Sequence, residues 1–151
     1  MHMVHDSSLA GFDLNLLVVL HPVKQDGVLP TFIAARRATP MVSTADIGRA
    51  AARALLDGPR GTRLIELAGP TDPTPAEIAA AFAKILGRPV AAVEAPLSAV
   101  VPTFMSFGIS QNIAELYREM YEAIESGKLA FEGEVVRGTT PVEDTLRALV
   151  R

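Results

Sequence analysis

The stretch from Pro40 to Leu56, PMVSTADIGRAAARALL, constrains the chain more than any other. Met41 and Val42 read as a short buried strand, followed by a sharp turn and a helix. Ser43 and Asp46 stand at the S-x-x-D spacing of a capping box, in which each side chain satisfies an orphan backbone N–H. Either Ser43 or Thr44 is the expected N-cap, and Asp46 in the first turn suits the positive end of the helix dipole. Ile47, Ala50, Ala51, Ala54 and Leu55 recur at helical spacing. A face made mostly of alanines allows close approach to a sheet. Gly58-Pro59 then stops the helix.

Elements of the same kind flank this stretch. Residues 1–11 are polar and irregular and are expected to fray, as a disordered tail or a remnant foreign to the fold. His2 and His5 within them could chelate a metal, but a fraying terminus is the preferred reading. Phe12 to His21 reads as a helix that is apolar nearly all round, with a strand as the alternative because of its β-branched pair, and Pro22 is expected to end it. A strand is expected at Thr31–Ala34. Another at Arg63–Ala68 alternates polar with apolar residues and ends at Gly69-Pro70. Thr74-Pro75-Ala76-Glu77 opens a helix with an N-cap, a proline at its first position and a capping-box glutamate, and Gly87 closes it. Val90–Ala95 reads as a strand. Leu97–Phe107 reads as an apolar helix that Pro102 kinks or divides. From Ser110 to Ser126 runs the clearest amphipathic helix, with Ile113, Leu116, Tyr117, Met120 and Ile124 facing inward. Phe131–Arg137 is strand or loop, and Thr140-Pro141-Val142-Glu143 repeats the earlier capping pattern before a last helix. Residues 12–151 thus form one α/β domain.

Several of these segments carry a resemblance. DGVLPTFIAARRATPMVSTADIGRAAARALL, then LIELAGP, then the helix ending in Leu86-Gly87-Arg88-Pro89-Val90, then Arg137-Gly138-Thr139-Thr140-Pro141, together resemble the NmrA-like family of atypical short-chain dehydrogenase/reductases, which bind NAD(P). In that family a similar Met-Val-x-Thr-x-Asp-Ile-Gly run links the substrate-side lobe back to the nucleotide-binding sheet. The likeness runs from about Phe12 to the C-terminus and covers only the back half of such a protein. It implies a small mixed sheet with about five to six helices, the C-terminal part of a Rossmann protein without its glycine-rich half. It also implies that full-length relatives are NAD(P)H-dependent reductases or redox-sensing regulators.

The residues themselves do not supply that chemistry. Dinucleotide binding needs a strand, then glycines spaced so that the backbone can approach a pyrophosphate at a helix N-terminus. The chain has 11 glycines and none in that arrangement. Gly58-Pro59-Arg60-Gly61 follows a helix, and Gly108 precedes one without a strand before it. The tyrosine with a lysine four residues on, common in short-chain dehydrogenases, is also missing, since Tyr117 and Tyr121 are followed at that spacing by Tyr121 and Glu125. No catalytic, cofactor-binding or metal-ligating residue is therefore assigned, and NAD(P) is implied only for full-length relatives. There is no cysteine, hence no thiolate nucleophile or ligand. A net charge of −3 without a basic block argues against nucleic-acid binding. The longest apolar run, Leu16–Leu20, is too short to span a bilayer, so a cytoplasmic address is expected.

Candidate pocket residues follow from the resemblance and from residue type. Phe12-Asp13-Leu14-Asn15 resembles the family's Phe-x-x-Asn motif near the nicotinamide end of the cleft, so Phe12 and Asn15 are implied pocket residues. Phe104, Met105 and Phe107 could form an apolar wall for a planar ligand, although such spacing also suits a core. Glu94 sits between Val93 and Ala95, as a partly buried acid or a solvent-facing one; Glu66 is a weaker case of the same kind. His21 reads as a residue facing the negative end of a helix dipole. The leading expectation is a substrate-side module, with a small apolar ligand, that binds or oligomerises without hydride transfer. The alternative is an isomerase or hydrolase using Glu94, Asp46 or His21 in an apolar pocket. Apolar surface on the central helix and an open edge at Arg63–Ala68 predict a homodimer, or docking to a complementary nucleotide-binding half.

Overall fold

In the computed structural model the description covers residues 3–5, 12–58, 61, 64–128 and 131–151, without the side chains of residues 3–5, 12–15 and 17. Along the described chain run β1 (Met3–His5), α1 (Phe12–Asp26), β2 (Val28–Thr31), α2 (Thr44–Leu56), β3 (Leu64–Ala68) and α3 (Pro75–Leu86). β4 (Ala91–Glu94), a 3-10 turn (Leu97–Ala99), α4 (Val100–Ser106), α5 (Gln111–Glu125), β5 (Glu134–Arg137) and α6 (Val142–Val150) follow.

The α/β class and the number of helices are as the sequence predicts. The single mixed sheet resolves into two small ones, ordered β1-β3-β5 and β2-β4, and every described ladder is parallel. Parallel pairing demands long crossovers, and the helices supply them. The principal core lies between α1, α3, α6 and the β2–β4 sheet. Leu16 and Val23 come from α1, Leu29 from β2, Ile78 and Phe82 from α3, and Val142 and Leu146 from α6. Each such side chain removed from water stabilises the fold by about 1.5–3 kcal/mol.

Local signals place α3 as expected. Thr74 caps it, Glu77 completes the reciprocal capping box, and Gly87 ends it in the left-handed conformation. Elsewhere tertiary context overrides them. Met3–His5, inside the segment expected to fray, pairs with β3 as a strand. α1 continues through Pro22 to Asp26. The proline leaves the Val18 carbonyl without its helical donor on an exposed face, where water can take the donor's place. His21 therefore sits within the helix rather than at its end. β2 forms three residues earlier than expected, and its Pro30 is tolerated because a two-stranded sheet has only edge strands. Met41 and Val42 are buried but make no ladder; the Met41 carbonyl instead accepts from Gly69 N at 2.6 Å. A Cβ at Gly69 would lie 2.5 Å from that carbonyl oxygen, so only glycine permits the approach.

Three further expectations change. β3 is the middle strand of its sheet, not an open edge, because β1 and β5 flank it. On α5, Ile124 is buried as predicted, but Ile113, Leu116 and Tyr117 are exposed, and it is Ala114 that is buried near the N-terminal end. On α2, Ile47, Ala50, Ala51 and Ala54 are half-buried, while Leu55 is 83% and Leu56 88% exposed. The alanine face is thus not pressed against a sheet within the described residues. Pro102 falls in the first turn of α4, directly after the 3-10 turn, where its missing N–H is one that no helix satisfies internally.

Candidate functional site

In parallel sheets, functional groups collect beyond the carboxyl ends of the strands. Two such neighbourhoods are present here. The first lies past β2 and β4. Phe32 follows β2 directly, and its ring stands 5.3 Å from Tyr121 and 6.2 Å from Phe104. Phe104 stacks on Tyr117 at 4.5 Å and 28°. α4 contributes one ring, α5 two at i and i+4, and the β2 loop the fourth. Burial, reinforced by the neighbouring Tyr117, pushes the Tyr121 phenol above its ordinary range. Offset aromatic pairs of this kind contribute about 0.5–1.5 kcal/mol beyond area alone.

Two carboxylates close this neighbourhood. Glu94, the last residue of β4, accepts from Ala35 N at 2.6 Å. Glu125, the last residue of α5, accepts from Ala34 N at 2.9 Å. Glu94 is exposed, as its place on the strand's polar face predicts, yet its carboxylate is engaged. Phe104 takes part in these ring contacts. Phe107 is 64% exposed and makes no ring contact among the described residues; Met105 is exposed as well. The side chains of Phe12 and Asn15 lie outside the described residues, so their predicted place in the pocket is not on view.

The second neighbourhood lies past β3 and β5. Ser43 is the N-cap of α2 and accepts from Ala45 N at 3.3 Å, whereas Thr44 is the first helical residue. Asp46 departs from the capping box. Its buried carboxylate accepts from Thr139 N at 3.3 Å, from Thr140 N at 3.0 Å and from the Arg49 guanidinium, which also donates to Thr140 Oγ1 at 2.9 Å. Burial opposes ionisation of this group most. The hydrogen bonds from Arg49, Thr140 and Thr139 together outweigh it and hold the carboxyl below the usual aspartate range. Thr140 is thereby engaged with α2, and α6 begins with Pro141 as its N-cap and no side-chain cap. Beside this, Arg137 donates two hydrogen bonds to Asp72, at 2.6 and 3.0 Å, and one to the Gly69 carbonyl. Glu66, the weaker of the two candidates for a buried acid, is 2% exposed and accepts from the amides of Glu132 and Gly133.

The acids considered as catalysts are thus not brought together. Asp46 serves the β5–α6 loop and Glu94 the β2 loop, and His21 lies exposed on α1. Among the described residues there is no cluster of three metal-ligating side chains and no helix long and apolar enough to cross a membrane. Sequence reasoning passes over Phe32, Tyr121 and Glu125 as parts of the first neighbourhood. Their only local signal is the aromatic pair at i, i+4 on α5.

Comparison with known proteins agrees with this architecture. Among curated proteins none matches by sequence. Triphenylmethane reductase from Citrobacter sp., solved in complex with NADP(H), superposes with a TM-score of 0.71 at 18% identity, over 93% of this chain and 50% of its own. A second structure of triphenylmethane reductase from Citrobacter sp. gives 0.74 at 17% identity, over 95% and 50%. An NADPH-dependent quinone oxidoreductase from Escherichia coli gives 0.70 at 20% identity, over 94% and 53%. The chain spans about half the length of these solved structures. The model of the NmrA-like family matches residues 11–146, and the chain belongs to that family.

Proposed function

We propose that this chain is the substrate-side lobe of an NmrA-like reductase or redox-sensing protein, and that it holds a small, planar, apolar ligand against the wall of Phe32, Phe104 and Tyr117. The observation that carries the reading is that wall, built from three separate elements beyond the carboxyl ends of β2 and β4. The quinones named for one structural neighbour are flat conjugated rings that such a wall suits.

The turns that follow β2, β3 and β5 do not fit the pyrophosphate of NAD(P). A dinucleotide cradle needs a strand followed by a helix N-terminus free to receive an anion. α2, which follows β2, carries Asp46 in its first turn; α3, after β3, carries Glu77; α6, after β5, carries Glu143 and Asp144. Glu77 and Asp46 already occupy the amides a phosphate would seek. Gly69, the glycine after β3, spends its amide on Met41. We therefore assign the nicotinamide cofactor to a complementary nucleotide-binding half and no hydride transfer to these residues by themselves. Calorimetric titration with NADPH and NADH tests this, and micromolar affinity for either would overturn it. Quenching of tyrosine emission by menadione tests the wall, which is refuted if Phe104→Ala binds menadione as the wild type does.

A second part of the proposal concerns assembly. The exposed Leu55 and Leu56 on α2 favour a homodimer, or docking of the complementary half, on that helix. A monomer by light scattering at high concentration would argue against the dimer.

A further inference from the structure

We infer that Glu125 is a positioning residue: with Glu94 beside it, its carboxylate latches the α4–α5 hairpin to the β2 loop and so sets the distance of Phe32 from Tyr121 and Phe104. As a statement about ligand access, this rests on the aromatic wall proposed above.

The position of Glu125 is not explained by its own helix. An anion in the last turn meets the negative end of the helix dipole, an unfavourable placement by roughly 0.3–1 kcal/mol. Its return lies elsewhere in the chain, where the carboxylate takes the Ala34 amide two residues after Phe32. The next amide, Ala35 N, turns to Glu94 on β4, and the Ala35 carbonyl accepts from Ala76 N at 2.9 Å. The β2 loop is therefore fixed to the body of the molecule by Glu94 and Ala76, while Glu125 brings the hairpin onto it. The Arg37 guanidinium, against which a Cβ on Gly127 would sit at 3.4 Å, places a cation beside the same end of α5.

Besides this contact, the hairpin meets the β2 loop through the ring of Phe32. α4 and α5 pack on each other and on the 3-10 turn. Their buried residues Val100, Ala114 and Ile124 are not part of the principal core cluster. Pro96 stands at one root of the hairpin and Gly127, at φ 71°, at the other. The hairpin thus meets the β2 loop through the Phe32 ring and the Glu125 carboxylate, the latter two residues before the Gly127 root, and removing the carboxylate opens that end of α5 from the loop. Opening separates Phe32 from Tyr121, because the two rings belong to opposite sides of the latch.

The chain contains no tryptophan, and its two tyrosines pack on the rings of Phe32 and Phe104. Tyrosine emission of the full chain therefore reports the latch directly. Acrylamide quenching is expected to rise about twofold in Glu125→Ala, as a charged-acceptor hydrogen bond is lost. Glu125→Gln, which keeps a carbonyl oxygen there, should return most of the protection, and Glu122→Ala on the same helix should leave it unchanged. Helix content by far-ultraviolet dichroism should hold in Glu125→Ala, since removing an anion from a helix C-terminus favours the helix. Unchanged quenching, or loss of helix, overturns the assignment. Menadione affinity should fall roughly three- to tenfold in Glu125→Ala. If the wild type does not bind menadione, the ligand reading fails, and the latch is still judged by the acrylamide result.

Discussion

Alanine at Gly138 should destabilise this protein through Asp46, and removal of the Asp46 carboxylate should relieve part of the damage. A Cβ on Gly138 would lie 2.5 Å from Asp46 Oδ2, 2.6 Å from Cγ and 2.9 Å from Cβ. Asp46 cannot step aside without releasing the Thr139 and Thr140 amides. Each unmade buried amide costs about 1–3 kcal/mol, with Thr139 at the low end because its bond is long. The ion pair adds little, because Arg49 is 60% exposed. Asp46→Ala should therefore cost about 2–4 kcal/mol. Gly138→Ala should cost about 1–3 kcal/mol by overpacking. In the double mutant the Asp46 Oδ2 and Cγ are gone and only the 2.9 Å contact with Cβ remains. The combined loss should fall short of the sum by about 1–2 kcal/mol. Urea denaturation followed by far-ultraviolet dichroism on the four proteins measures this coupling. Additive losses, or a Gly138→Ala protein as stable as the wild type, would refute the reasoning.

Other consequences are equally accessible. Because the folded Asp46 carboxyl titrates below its unfolded value, the stability it contributes is present above about pH 4 and is lost as pH falls through the lower folded value. The gap in urea midpoint between wild type and Asp46→Asn should close over that acid range. The Tyr121 phenol is raised in the folded state, so its contribution is complete below about pH 10 and is lost as pH climbs through the higher folded value. Alkaline difference spectroscopy should show a late phenolate step that Tyr121→Phe abolishes. Glu66→Ala leaves the Glu132 and Gly133 N–H groups without their shared acceptor oxygen and should lower stability by about 1–3 kcal/mol in denaturant titration. Phe82→Ala, at the centre of the core, should cost about 3–5 kcal/mol by the same measurement.

What was legible in the sequence follows from how far apart the partners stand. α3 is readable in full because Thr74, Pro75, Glu77 and Gly87 act within one helix. Ser43 as a cap is readable for the same reason. The true role of Asp46 is not, since the amides it serves come more than ninety residues later and the local capping pattern offers a nearer partner. Glu66 alternates with apolar neighbours as a surface residue would, and only the return of the chain at Glu132 buries it. Phe104 is recognisable as an aromatic on an apolar helix. Its meeting with Phe32 and the α5 tyrosines depends on the fold of the hairpin, which no periodicity encodes. The family resemblance succeeds where local rules stop, because it draws on the order of segments along the whole chain.

The strand registers carry a last consequence, for how the chain comes together in time. Met3 pairs with Leu64, Val28 with Ala91 and Ile65 with Glu134, so every described ladder joins residues roughly sixty to seventy positions apart. Among the described residues no β-hairpin nucleates a sheet locally, and each ladder must close a long loop before it gains anything. Refolding should accordingly be slow for a chain of this size. On the ribosome, the three-stranded ladder cannot be finished until the segment around Val135 has left the exit tunnel.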